Sequence, residues 1–267
     1  GTVASDPANE KFVHNEFGVN YKFGKLGLNA SAYNTDWQDR NLTKSVTTGQ
    51  GDSGDTDVIF LTGVNQKHSG VELETNYMVN DMLDLMFVAS FGNWKFDGDA
   101  NGNYQETEYN SEGQAIGYTT TEYAYALDGL YVGDMPQTSY VLGVTLKPIK
   151  DLRIQAIHKM YDKNYSDWSP SAREFDGTND DADRAQVWEA PSYNRLDLHM
   201  SYKLPKVKDL DMMLTANIFN VLDEVYVQDA VDNSQYNGFG SKVHAAHNAE
   251  VFLGTPRYAN IGLSIGF

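Results

Sequence analysis

The sequence predicts an all-β fold, a transmembrane antiparallel β-barrel, on three observations. Apolar and polar residues alternate through nine segments, which marks strands with two unlike faces. The connections between those segments are short and long in turn along the whole chain. Aromatic residues gather on the apolar face where several strands meet a short turn.

The first strand, Phe12–Phe23, sets Phe17, Val19, Tyr21 and Phe23 against Glu16, Gly18, Asn20 and Lys22. The second, Leu26–Trp37, sets Leu28, Ala30 and Ala32 against Asn29, Ser31 and Tyr33. The third, Ser69–Val79, opposes Val71, Leu73, Tyr77 and Val79 to Glu72, Glu74 and Asn76. The fourth, Met82–Trp94, carries Leu83, Leu85, Phe87, Ala89 and Phe91 on its apolar face. In the fifth, Gln137–Pro148, Tyr140, Leu142, Val144 and Leu146 alternate with Ser139, Gly143, Thr145 and Lys147. The sixth, Asp151–Tyr165, is the weakest, because His158 interrupts Leu152, Ile154, Ala156 and Met160. The seventh, Tyr193–Leu204, is the cleanest: Leu196, Leu198, Met200, Tyr202 and Leu204 face away from Arg195, Asp197, His199, Ser201 and Lys203. The eighth, Leu210–Leu222, presents Leu210, Met212, Leu214, Ala216 and Ile218. The ninth, Arg257–Phe267, sets Ile261, Leu263, Ile265 and Phe267 against Asn260, Gly262, Ser264 and Gly266.

Short turns fall at Gly24-Lys25, Asn80-Asp81, Ile149-Lys150 and Pro205–Asp209, and long connections at Gln38–His68, Lys95–Pro136, Ser166–Ser192 and Asp223–Pro256. Outer-membrane barrels are wired this way, with tight periplasmic turns and extended extracellular loops. Tyr21, Phe23, Tyr77, Tyr202 and Phe267 mark the short-turn end as a membrane boundary; the fifth strand, ending in Leu146, lacks the aromatic. With nine strands and a last strand that ends at the periplasmic side, the first must descend from outside. A closed barrel has no edges open to lipid, so further strands of the same barrel are expected upstream. The whole of 1–267 then reads as a C-terminal segment of one barrel domain, with Gly1–Glu10 as the tail of a preceding loop.

Composition agrees. With 37 Asp and Glu against 20 Lys and Arg, the net charge is −17, which excludes a nucleic-acid partner needing a basic face. Without cysteine there is no disulfide framework, thiolate metal site or cysteine nucleophile. No apolar run is long enough for a transmembrane helix. No nucleophile–base arrangement or glycine-rich phosphate loop emerges, so the chain is not expected to be an enzyme.

The last eight residues, Asn260–Phe267, resemble the signal read by the barrel-assembly machinery, with Asn260, Gly262, Ile265 and Phe267 filling its positions. Asn217–Tyr226, with Leu222-Asp223 and Tyr226 at its exit, resembles the penultimate-strand motif of TonB-dependent outer-membrane receptors. Tyr33–Arg40, Ser69–Glu74 and the Leu253–Arg257 run extend that resemblance over most of the chain. It implies a 22-stranded barrel, of which these are the last nine strands, in the outer membrane of a Gram-negative bacterium. It also implies an N-terminal plug, coupling to the TonB complex, contact with lipopolysaccharide and, in some members, a surface lipoprotein partner. The implied function is energised uptake of a scarce nutrient whose identity the residues do not specify. A passive porin, or a structural or adhesive barrel, is the alternative.

The lumen-facing charges Glu72, Glu74, Arg195, Asp197 and Lys203 either hold the plug or pair among themselves and solvate the interior. Asp97–Glu108 matches a twelve-residue calcium loop, with oxygen ligands at Asp97, Asp99, Asn101 and Glu108 and Gly102 at the turn; no flanking helices accompany it. No other cofactor is expected. Asp176, Asp180, Asp181 and Asp183 form a second acidic group, expected as a solvated surface. His244 and His247 form a loop pair for a metal or haem, or are simply exposed, which is the expectation here.

Overall fold

The structure is a computed structural model that describes residues 9–48, 55–175, 182–206, 208–234, 236–238 and 240–266. Phe267, Asp176, Asp180, Asp181 and most of the leading Gly1–Glu10 segment lie outside the described residues. In chain order the elements are β1 (Lys11–Phe23), β2 (Leu26–Thr48), β3 (Asp55–Asn80), β4 (Leu83–Phe96), β5 (Ala100–Tyr109) and β6 (Ala115–Tyr125). Then come β7 (Thr138–Leu146), β8 (Leu152–Asp162), β9 (Asn164–Tyr165), α1 (Pro170–Arg173), β10 (Glu174–Phe175) and β11 (Glu189–Ala190). The chain finishes with β12 (Tyr193–Lys203), β13 (Asp211–Phe219), β14 (Val227–Val231), β15 (Glu250–Leu253) and β16 (Tyr258–Gly266).

Nine of these strands form one wall, each hydrogen-bonded antiparallel to the next: β1, β2, β3, β4, β7, β8, β12, β13 and β16. They coincide with the nine segments expected from alternation. Left-handed residues make three of the short turns possible: Gly24, Asp151 and Lys208 all have positive φ. No pairing joins β1 to β16 among the described residues, so the wall is an open sheet.

Register fixes the two faces. Glu72 stands opposite Ser31 and Ser90, while Leu73 stands opposite Ala30 and Ala89, and the same parity runs through to β16. One face therefore carries Val71, Leu142, Leu198, Ile261 and their neighbours; the other carries the polar partners. Phe17 is 75% exposed and Ile261 79% exposed. A continuous apolar surface of that kind belongs in lipid rather than in water. His158 and Asn194, polar interruptions on this face, satisfy each other at 3.2 Å.

The long connections are not loops, which corrects the expectation for 38–68 and 95–136. β2 and β3 run on past the wall as one ribbon, and the ladder is broken between Trp37 and Leu42, where Asp39 and, opposite, Gly63 have positive φ. That bulge re-aims the strands as they leave the wall. Beyond it β5 pairs with β3, β6 pairs with β5, and β10 adds to the end of β6. Leu61, Phe96, Tyr125, Leu127, Leu130 and Trp168 form the hydrophobic core here, above the wall rather than within it.

Candidate functional site

The lumen face is the polar side of the wall, and all five expected lumen charges lie on it. Asp197, fully buried, accepts from Lys159 at 2.9 Å, from the backbone N–H of Asn220 at 2.9 Å, and lies 3.6 Å from Arg195. Arg195 also donates to the Tyr226 hydroxyl at 3.0 Å. Lys203 is 3.7 Å from Asp211, and Glu74 accepts from Asn76 at 2.8 Å and from Asn29 at 3.4 Å. Four of the five are thus engaged within the fold, three of them with neighbouring strands. Near the short turns, Asp84 pairs with Lys147 at 2.6 Å.

Toward the long-connection end the lumen face becomes aromatic. Tyr33 reaches across β3 onto Gly70, and Trp94 lies along Gly92, which is directly opposite Gly70 in the ladder. A Cβ at Gly70 would come within 2.5 Å of the Tyr33 hydroxyl, and one at Gly92 within 2.8 Å of Trp94 Nε1. Only glycine leaves room for the rings to recline on the sheet. Trp94 Nε1 donates to the Tyr33 hydroxyl at 2.9 Å, and the Gln137 side chain holds the Trp94 backbone N–H and C=O at 2.9 and 3.0 Å. His68 lies nearly parallel to Trp94, with ring centres 5.6 Å apart, and His14 nearly parallel to Tyr33 at 6.2 Å. With Glu16 and Glu72 on the side of the short turns, these rings line a hollow of about 330 Å³.

Above the wall, ion pairs tie the long connections together. Lys44 on β2 pairs with Asp167. Arg184 grips Asp99 with two hydrogen bonds, 2.9 and 2.8 Å, and this holds the Asp99 carboxyl below the usual carboxylate range. Arg173, with no solvent exposure, donates to the carbonyls of Asp183 and Ala185 at 2.9 and 2.7 Å and faces Asp232 at 3.5 Å. His244 bridges Asp232 at 2.5 Å and Asp183 at 2.9 Å. The Asp232 hydrogen bond raises the His244 pKa above the ordinary histidine value; burial opposes it and Asp183 adds to it.

Two expectations for the upper connections, those for His244 and Asp183, are corrected here. The His244 side chain is 8% exposed and bonded rather than open to solvent, whereas His247 is exposed; the Asp183 side chain, also 8% exposed, is a partner rather than solvated surface. Arg173 and Asp232 were not foreseen, because nothing local in the sequence joins residues so far apart. The expected calcium loop is a strand: β5 begins at Ala100, and Gly102 sits mid-strand between Leu61 and Tyr123 rather than at a turn. Extended backbone rises about 3.3 Å per residue and does not wrap an ion. Asp97 pairs instead with Lys67 at 2.7 Å, Asp99 with Arg184, and Glu108 accepts from Thr119, while Asn101 stands opposite Thr62. The four are not brought together, and no group of three or more such ligands forms among the described residues. In the segment expected to carry an assembly signal, Asn260 accepts from Asn217 at 2.8 Å, Gly262 lies opposite Thr215, and Ile265 is on the apolar face.

The family model described as TonB dependent receptor-like, β-barrel, matches residues 8–221. Among solved structures the chain is similar to one named the copper transporter OprC, at 14% identity and a TM-score of 0.56, covering 97% of this chain and 31% of that one. It is also similar to the ferric-catecholate import receptor Fiu of E. coli K12, at 13% identity and a TM-score of 0.33, covering 96% and 45%. The ferric citrate transporter FecA follows at 11% identity and a TM-score of 0.30, covering 96% and 54%. The likeness to OprC supports the fold alone; the other two scores add nothing to it. The chain spans about a third of the length of OprC. No curated protein matches it.

Proposed function

The chain belongs to the TonB-dependent receptor β-barrel family, and from that premise we propose that it forms the C-terminal part of the barrel of a transporter taking up a scarce nutrient across the outer membrane. The family match over 8–221 carries this reading. The wall supports it: an antiparallel sheet with one apolar face and one face of paired charges is what a lipid-embedded, water-lined barrel requires. Its open edges at β1 and β16 call for further strands of the same receptor, since unpaired backbone groups are not tolerated in lipid. In this reading a plug fills the lumen below the hollow, against Glu74, Arg195, Asp197 and Lys203 with Glu72 at its outer margin, and TonB moves it to admit substrate.

The test uses the full-length receptor in cells with and without functional TonB. Uptake is followed for a panel of labelled ferric siderophores, haem, cobalamin, glycans and peptides. At least one solute should require both receptor and TonB. Receptor-dependent entry that persists without TonB would make the barrel a passive pore instead. Assembly is tested separately: Phe267→Ala should lower the receptor's amount in the outer membrane, and wild-type levels would show the Asn260–Phe267 match to be accidental.

A further inference from the structure

At the mouth of the lumen, ring faces and carboxylates converge on one hollow. Phe12, His14, Tyr33, His68 and Trp94 supply the rings; among the described residues Glu16 and Glu72 supply the formal charges, and no lysine or arginine lines it. We infer that this hollow binds an organic cation of the ammonium type, as a subsite for the receptor's ligand. The inference rests on the transport reading above and adds to it the charge class of what is carried.

The ring faces and carboxylates of the lining have the same sign, and the nearest cation, Arg40, is turned onto Trp37 although it still acts on His68. An aromatic ring presents a negative face that attracts a cation placed over it. The carboxylates of Glu16 and Glu72 add to that attraction and repel phosphate, citrate or catecholate-type anions. The rest of the fold shows how the chain treats rings that it caps itself. Arg40 lies over Trp37 at 3.7 Å, Lys44 over Trp168, Lys95 over Tyr131, Arg184 over Phe175 and Arg195 over Tyr226. No such pair involves Tyr33 or Trp94 among the described residues, although Arg40 caps a ring just beyond the hollow on the same strand. The two rings are also fixed in advance, by Gly70 and Gly92 beneath them and by the hydrogen bond between them. A ligand therefore meets a surface already in place and loses little affinity to ordering it. At about 330 Å³ the hollow is the size of a small-molecule site.

His14 and His68 border the site, and His14 Nε2 lies 3.6 Å from Glu16.

The test compares choline with its neutral isostere 3,3-dimethylbutan-1-ol on purified full-length receptor, by tryptophan fluorescence and saturation-transfer NMR. Choline should bind about five- to tenfold more tightly than the isostere, and Glu16→Gln with Glu72→Gln should abolish the preference. Gly70→Val, which displaces Tyr33, should weaken choline while leaving heat-modifiable barrel mobility unchanged. Equal affinity for the two probes, no binding of choline by the wild type, or tighter binding of citrate in the hollow would overturn the inference. None of these outcomes involves TonB, so the transport reading stands or falls separately on the uptake experiment.

Discussion

Ile261 and Leu61 both sit in long antiparallel strands and meet opposite fates. Ile261, on β16, is 79% exposed on the apolar face of the wall, whereas Leu61, on the upper part of β3, is 1% exposed. The wall has lipid on one side and a water-lined lumen on the other, so its apolar residues point outward, and among the described residues the hydrophobic core lies outside it. Beyond the bulge at 37–42, water surrounds the ribbon, and the ordinary rule returns: Ile59, Leu61 and Val64 turn in against Phe96, Tyr125 and Trp168. β2 and β3 cross from one regime to the other within single strands. Strand structure thus continues through the boundary, but the partition of side chains inverts.

The two regions should respond to different perturbations, and the largest effect is expected above the wall. Arg173→Met leaves Asp183 and Asp232 with His244 alone between them, a loss of up to about 3–5 kcal/mol. Limited proteolysis should then cut the segments around 182–188 and 240–249 far faster, with the wall's heat-modifiable mobility unchanged. Loss of both together would show that wall and superstructure are one cooperative unit.

Next in size is a paired substitution in the wall. Leu198→Lys places a charge in lipid and should cost about 2–4 kcal/mol near the midplane, while Ser201→Lys on the lumen face should cost close to nothing. Refolding equilibria in lipid vesicles measure both. Similar costs for the two would contradict the assignment of faces.

A smaller effect is expected from pH, and only above the wall. His244 binds its proton more tightly in the folded connections than in the unfolded chain, because Asp232 accepts its hydrogen bond. That contribution is complete below the ordinary histidine value and is lost as pH rises through the raised one. Asp134 is pushed up to about 6 by burial, then by Asp167 and Asp229. It acts in the same direction, its contribution fading between the usual carboxylate value and about 6. Proteolytic protection of these connections should therefore fall as pH is raised from mildly acid to alkaline. A flat profile, or protection that rises with pH, would remove the His244 bridge from the account.

The same inversion explains what could be read from residues alone. Tyr193–Leu204 was expected and Tyr193–Lys203 is found, because Leu196, Leu198 and Met200 face lipid while Asp197 and His199 face the lumen. Arg257–Phe267 likewise becomes Tyr258–Gly266 within the described residues. β5 and β6 escaped because much of the hairpin is wetted on both sides, and a strand without unlike faces shows no alternation. The run Tyr118-Thr-Thr-Thr carried β-propensity, which a stricter reading would have weighed. Asp97–Glu108 misled for a related reason: Asp, Asn and Gly at loop-like spacing were read without the partner strand β3, which decides their conformation. The His244 bridge was out of reach, since its partners Asp183 and Asp232 lie 61 and 12 residues away.

The central claim is that alternate residues of the wall face lipid and lumen, and a single-cysteine scan of β12 in the full receptor tests it most directly. This chain has no native cysteine to interfere. Spin labels placed singly from 195 to 202, in vesicles, should collide with oxygen in the lipid at Leu196, Leu198, Met200 and Tyr202. They should collide with a water-soluble nickel chelate at Arg195, His199 and Ser201, with Asp197, buried in its ion pairs, shielded from both. A two-residue period in opposite phase for the two quenchers is the predicted result; equal access to both, or water access at every position, would contradict the barrel wall.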